Sequence, residues 1–203
     1  MTSIQLTLTQ RTVKRTFDLV LAIIGLILTL VVIIVAWLIA SIDTRSNGFF
    51  IQERVGRYGT TFKVVKIKTM RPVAGNVTTV TRLGDPRITK IGSWFRKAKI
   101  DELPQIWNVL LGHMSFVGPR PDVPGFADKL KGEAREILRL RPGITGPATL
   151  KYRNEEELLA IQSDPERFNR EFIFPDKVRI NLDYMRDWSI KKDLNYIWRT
   201  IFE

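Results

Sequence analysis

The segment Lys99-Ile-Asp101-Glu102-Leu-Pro-Gln-Ile-Trp-Asn108 sets two adjacent carboxylates between two stretches of helical spacing. Neighbours on a helix point about 100° apart, so the two cannot share one proton as a glycosidase pair does. The residue types suit two separate jobs. One carboxylate can act as a nucleophile while the other orients a metal or a leaving group. Hard oxygen ligands of this kind suit Mg²⁺. A second reading makes the pair an acidic start to the following helix, favoured by its dipole.

Seven cations surround the pair in sequence: Lys66, Lys68, Arg96, Lys99, Arg120, Arg141 and Arg153. Arg offers a planar fork that grips phosphate through two bonds, and Lys offers a point charge. Several of the seven lie in Gly/Pro-bounded segments without periodicity, where function tends to reside. The chain has no Cys, which excludes disulfides and cysteine-based metal sites or nucleophiles. A single His, His113, cannot supply a His-rich metal site and reads as a surface position.

These groups must be held at a membrane. Residues 19–40 read LVLAIIGLILTLVVIIVAWLIA, without a charge. An unbroken helix of that length covers roughly 30 Å, the thickness of a bilayer's hydrocarbon core. A buried core helix of this length would show a polar face, and a signal peptide would be shorter and followed by a small-residue cleavage site. The net charge of +11 therefore sits on the polar remainder, which should attract anionic lipid or phosphorylated substrates. Basic residues flank both ends of the run: Arg11, Lys14 and Arg15 before it, and Arg45, Arg54 and Arg57 after it. The positive-inside rule then chooses no orientation for a simple span. A re-entrant helix would satisfy both flanks, but it normally needs a Pro, and none stands between residues 17 and 42.

The fold class expected is α+β, mostly α. Residues 1–43 form an N-terminal segment and membrane helix, with the helix itself over 11–42. Residues 44–203 form a small interfacial catalytic domain. Two apolar stretches around Glu53–Gly59 predict a short β-hairpin with a basic tip. A loop is expected over 71–87 and amphipathic helices over 88–99, 104–111 and 124–140. A short helix should open at Asn154, and Arg141–Pro147 should be irregular. Residues 175–202 suit either an interface-lying helix pair or helices packed on the core.

The strings KIKTM (66–70), IDELPQIWNVL (100–110), MSFVGPRP (114–121) and RPGITG (141–146), in this order, resemble the monotopic phosphoglycosyl transferases, the bacterial sugar transferase family. The entry Lys14-Arg15-Thr-Phe-Asp18 is similar to that family too, and the resemblance spans roughly residues 11–155. It implies transfer of a phosphosugar from a UDP-sugar to polyprenol phosphate, with release of UMP. This begins assembly of capsule, exopolysaccharide or O-antigen. Asp101 would then be the nucleophile and Mg²⁺ ligand, with Glu102 as its partner. Lys68, Arg96 and Arg120 would lie near the phosphates and Arg153 near the nucleotide, with Arg141 completing the basic set. The implied location is the bacterial inner membrane, with the domain on the cytoplasmic face. Two features depart from the family: the Pro usual in the middle of the membrane helix is missing at Leu28–Val32, and His113 replaces a common acid. Thr29 can bend a helix by bonding back to the backbone.

The competing class is a non-enzymatic, membrane-anchored basic scaffold that binds lipid or a partner. No nucleic-acid partner is expected, because only net charge speaks for one and no recognition motif accompanies it. The sugar is not legible, and a homo-oligomer remains open.

Overall fold

The computed structural model describes residues 5–71 and 85–203. Helix α1 runs unbroken from Leu8–Thr44, 37 residues or about 55 Å. It starts three residues earlier and ends two later than the apolar pattern suggests. A reciprocal cap explains the start: the Thr7 hydroxyl accepts the Gln10 N–H, and the Gln10 side chain accepts the Thr7 N–H. In place of a Pro break, the Thr29 hydroxyl donates to the Gly25 carbonyl at 2.6 Å.

One stripe of α1 is buried: Lys14, Asp18, Ala22, Ile33, Ala36, Ala40 and Thr44, at helical spacing. The small Ala side chains let the helix lie close to its neighbours. The opposite side exposes Ile23, Ile24, Ile27, Leu28, Val31, Val35 and Leu38. A helix long and apolar enough to cross a membrane, with most of that surface uncovered, is a membrane-associated element. Both of its ends are tied to the same domain. At the start, Arg15 donates to the Val109 and Leu110 carbonyls at 2.7 and 3.0 Å. Near the other end, Trp37 stacks on Phe49 and Asp43 accepts from Arg71.

The predicted hairpin is present. Strands β1 (Phe49–Val55) and β2 (Thr61–Ile67) pair antiparallel with Val55 opposite Thr61. Phe50, Gln52, Arg54, Phe62, Val64 and Lys66 share one face by alternation. The helices α2 (Lys90–Lys97) and α3 (Gln105–Leu110) follow. Asn108 of α3 seals the free edge of β2: its side chain accepts the Val65 N–H and donates to the Lys63 carbonyl. Ala22, Val64, Ile106, Val109 and Met114 form the core beneath this corner.

Two expectations are corrected. The segment 141–146 is not irregular throughout: β4 (Gly143–Thr145) pairs parallel with β3 (Ser115–Val117). The pairing depends on glycine. A Cβ on Gly143 would lie 2.2 Å from the Gly118 nitrogen, so only bare backbone permits the approach. The segment 124–140 forms two 3₁₀ stretches, Ala127–Lys129 and Gly132–Arg139, rather than one α-helix. Gly132, at φ 56°, interrupts any continuous helix there. Its apolar residues Ile137, Leu138 and Leu140 still reach the main core. The loop expected over 71–87 falls largely on 72–84, outside the described residues.

The C-terminal half adds α4 (Pro147–Lys151), α5 (Glu155–Ala160), α6 (Pro165–Phe168), α7 (Phe174–Arg186) and α8 (Ile190–Phe202). Of the two alternatives for residues 175–202, packing on the core is the one the structure shows. Val178, Leu182 and Met185 of α7 are core, with Tyr196 and Ile197 of α8 packed against them. The outer face of α8 exposes Leu194, Trp198, Ile201 and Phe202.

Candidate active site

Helix α2 is pressed onto the chain beyond β2: a Cβ on Gly92 would meet the Thr69 carbonyl oxygen at 2.1 Å. After α2, Lys99 takes the left-handed conformation at φ 57°. That is a strained state for a side-chain-bearing residue, and it turns the chain sharply. The 3₁₀ turn Ile100–Glu102 follows and projects both carboxylates before Pro104 opens the way to α3.

The two carboxylates sit in different states. Glu102 Oε1 accepts from Lys66 Nζ at 2.8 Å and from Arg120 Nη2 at 3.3 Å. Burial alone would raise its pKa, but Arg120 and Lys66 outweigh burial and hold the carboxyl well below its usual range. Glu102 is thus bonded to cations of β2 and of the loop after β3, not to the start of α3. Asp101 is 9% exposed and has no hydrogen-bond donor on its carboxylate among the described residues. Burial, then the charge of Glu102, pushes its pKa up to about 6 against the pull of Lys66, Arg96 and Lys99. At pH 7 it is ionised and unusually basic for an Asp.

Arg96 is aimed by its neighbours: Nε donates to the Thr69 hydroxyl at 3.1 Å, and Nη1 lies 3.5 Å from Glu156 Oε1. Arg120 stands in the Gly118–Pro121 loop, which the β3–β4 contact fixes. Asp101, Glu102, Arg96 and Arg120 therefore converge, joined by Lys66. The other expected residues point elsewhere. Lys68 donates to the Ser46 hydroxyl at 2.9 Å, beside the end of α1. Arg141 donates to the Gly112 carbonyl at 2.8 Å and, with Arg15, satisfies carbonyls at the end of α3. Arg153 donates to the Arg199 carbonyl of α8 at 3.1 Å. His113 is exposed, its ring 5.9 Å from that of Phe62.

Sequence reasoning missed a flanking group made of Arg54, Asp122, Glu155 and Lys177. Strand alternation gave one available signal, since Arg54 and Lys66 share a hairpin face. For a metal, the described residues hold no group of three or more Asp, Glu or His. Asp101, without a hydrogen-bond partner among the described residues, is the carboxylate here that could hold a hard cation such as Mg²⁺.

Several known proteins are similar to this chain. A Bacillus subtilis (strain 168) protein, provisionally named an undecaprenyl-phosphate N-acetylgalactosaminyl 1-phosphate transferase, is 40% identical over 69% of this chain and 78% of its own length. The undecaprenyl-phosphate glucose phosphotransferase of Komagataeibacter xylinus is 36% identical over 93% of this chain, which spans only 35% of that relative. The exopolysaccharide production protein ExoY of Sinorhizobium fredii is 31% identical over 93% of this chain and 83% of its own length. The pattern described as bacterial sugar transferase matches residues 9–203, and the chain belongs to that family.

Proposed function

We propose that the protein transfers a phosphosugar from a UDP-sugar to polyprenol phosphate through a covalent intermediate on Asp101. The observation that carries this reading is the buried Asp101 carboxylate, without a hydrogen-bond donor among the described residues, beside cations that already hold Glu102. A carboxylate in that state is a competent nucleophile, and the surrounding Lys and Arg suit a diphosphate. Asp101 attacks the sugar-bearing phosphorus. The bond from that phosphorus to the bridging oxygen breaks, and UMP leaves with the electron pair. An oxygen of polyprenol phosphate then attacks the same phosphorus, which frees the Asp101 carboxylate and forms polyprenol diphosphosugar.

Splitting the transfer in two lets the soluble donor and the lipid acceptor use one small site in turn. Glu102 holds Lys66 and Arg120 where the phosphates lie, and Arg96 reaches the same point. Asp101 would hold Mg²⁺ together with the donor's phosphates, and the ion supplies neutralisation of the diphosphate charge. The exposed side of α1 seats the protein in the membrane, the outer face of α8 adds an apolar contact, and the acceptor arrives laterally. The domain faces the cytoplasm of a bacterial cell, where the transfer opens assembly of a polysaccharide.

The test is nucleotide release. Full-length protein in nanodiscs is incubated with Mg²⁺, undecaprenyl phosphate and a panel of UDP-sugars. UMP is the expected product, lost with Asp101→Asn. Without acceptor, intact-mass measurement should show one phosphosugar added to the wild type and none to the variant. Release of UDP instead would mean glycosyl transfer and would overturn the mechanism. An active Asp101→Asn would remove the assigned nucleophile.

A further inference from the structure

We infer that Asp122, with Glu155 and the cations Arg54 and Lys177, forms the subsite for the hydroxyl groups of the donor's sugar. The inference rests on the phosphosugar-transfer reading above and extends it to a part of the cleft that reading leaves without a role.

Asp122 follows Arg120 by two residues, and Arg120 is the residue that contacts Glu102. The position of Asp122 is fixed by β1: the Val55 N–H donates to its carbonyl at 2.8 Å, and Arg54 Nη1 donates to the Pro121 carbonyl at 3.1 Å. The ion pair Lys177–Glu155, at 2.6 Å and with side chains 18% and 24% exposed, acts on Asp122 electrostatically. Lys177 is steadied from α4, because its neighbour Asp176 accepts from Lys151 and from the Tyr152 hydroxyl at 2.6 and 2.7 Å. The next residue along α5, Glu156, reaches Arg96. The start of α5 thus borders both the Asp101 centre and this second group.

The Asp122 carboxylate is only partly covered and has no hydrogen-bond donor among the described residues, although Lys177, Arg54 and Arg120 all act on it electrostatically. A carboxylate left open among cations is an acceptor for a donor that the described residues do not supply.

The charge division between the two groups gives the ligand chemistry. Around Asp101 and Glu102 the cations Lys66, Arg96, Lys99 and Arg120 outnumber the acids, which suits phosphates. In the second group two acids face two cations. Such a balanced set discriminates against a charged ligand and favours a neutral one that both donates and accepts, as sugar hydroxyls do. Position selects the sugar over the nucleoside. The phosphorus that Asp101 attacks carries the sugar through one ester oxygen, whereas the uridine is a phosphate further away. The second group is one residue, Arg120, away from the dyad.

Donor kinetics test the inference. UMP release is measured in nanodiscs with UDP-glucose, UDP-galactose, UDP-N-acetylglucosamine and UDP-N-acetylgalactosamine, for wild type and Asp122→Asn. UDP, which lacks the sugar, serves as a competitive inhibitor. A lost carboxylate–hydroxyl pair should raise KM for the preferred donor about tenfold or more and reduce discrimination among the four. The kcat should move by about threefold at most and the inhibition constant of UDP should not move. Glu155→Gln, on a different element, should shift KM in the same direction and covers the case in which Asp122→Asn fails to fold. An unchanged KM in both variants overturns the subsite. So does parallel weakening of UDP, which would put the phosphates or nucleoside there. A wild type that releases no UMP from any donor removes the transfer reading and this inference with it. Turnover by wild type with indifferent variants removes the subsite alone.

Discussion

Two aspartates in this protein are buried beside a lysine, and their surroundings differ in one respect. Asp193 is 0% exposed and accepts from Lys14 Nζ at 2.6 Å, from the Tyr184 hydroxyl at 2.7 Å and from Trp188 Nε1 at 3.1 Å. Its acceptor sites are taken by donors from α1, α7 and the link before α8. Asp101 lies near Lys66, but Lys66 bonds to Glu102. The first carboxylate is saturated and serves as a joint between the membrane helix and the C-terminal helices. The second has no donor on its lone pairs among the described residues. Saturation by donors, rather than burial as such, separates a structural acid from a reactive one.

The comparison can be attacked from both sides. The largest effect should come from Lys14→Met, which strands the Asp193 charge in the core. It should cost about 3–5 kcal/mol of unfolding free energy in detergent, and adding Asp193→Asn should recover part of it. A loss near the ~0–1 kcal/mol of an exposed pair would break the comparison. Next is Glu102→Gln, which removes the charge that organises Lys66 and Arg120. Glu102 is held ionised by both cations, so the variant also loses stability; a fall of about 30–100-fold in kcat for UMP release, measured on folded protein, would mark these cations as acting on the reaction.

Asp101→Asn should act on stability with the opposite sign to Lys14→Met. With the folded pKa at about 6 and an unfolded value of about 3.9, the folded state holds a proton that the unfolded state lacks between those limits. Wild-type stability therefore declines as pH rises from about 4 to about 6, and the deficit persists above that. Asn does not titrate, so the variant should be more stable by about 1–3 kcal/mol at pH 7 in EDTA, with the gap closing below about pH 4. Unfolding curves across that range check it. The smallest effect is expected of Arg141→Gln. Its side chain serves the end of α3, so donor KM should stay within about twofold while stability falls by about 1 kcal/mol. A large rise in KM would return Arg141 to the site.

Local signals in the sequence were enough to read α1, the hairpin, α3 and the acidic pair with its basic company. Apolar length, strand alternation and a Pro-started helix are local properties, and the structure keeps them. The Lys14–Asp193 joint was not readable, because its partners stand 179 residues apart and no local signal pairs them. Strand β4 was hidden for a related reason: Arg141–Gly146 looks like a turn until Gly118 comes against it. The same limit sorted the seven cations. Types and spacing named them all; Lys99 adjoins the pair in the chain, but only tertiary approach brings Lys66, Arg96 and Arg120 to the carboxylates and bonds Lys68, Arg141 and Arg153 to the Ser46 hydroxyl and the Gly112 and Arg199 carbonyls.

A domain bound to both ends of its membrane helix has no swivel. Arg15 ties one end of α1 and Asp43 ties the other, so the body can neither tilt nor lift away from that helix without dragging it along. The distance of the Asp101 turn from α1 is therefore a constant of the fold, like the draught of a hull. Acceptors of very different tail length should serve alike, since every tail lies below that waterline. A lipid whose phosphate floats a few ångströms too high or too low should fail, whatever its tail.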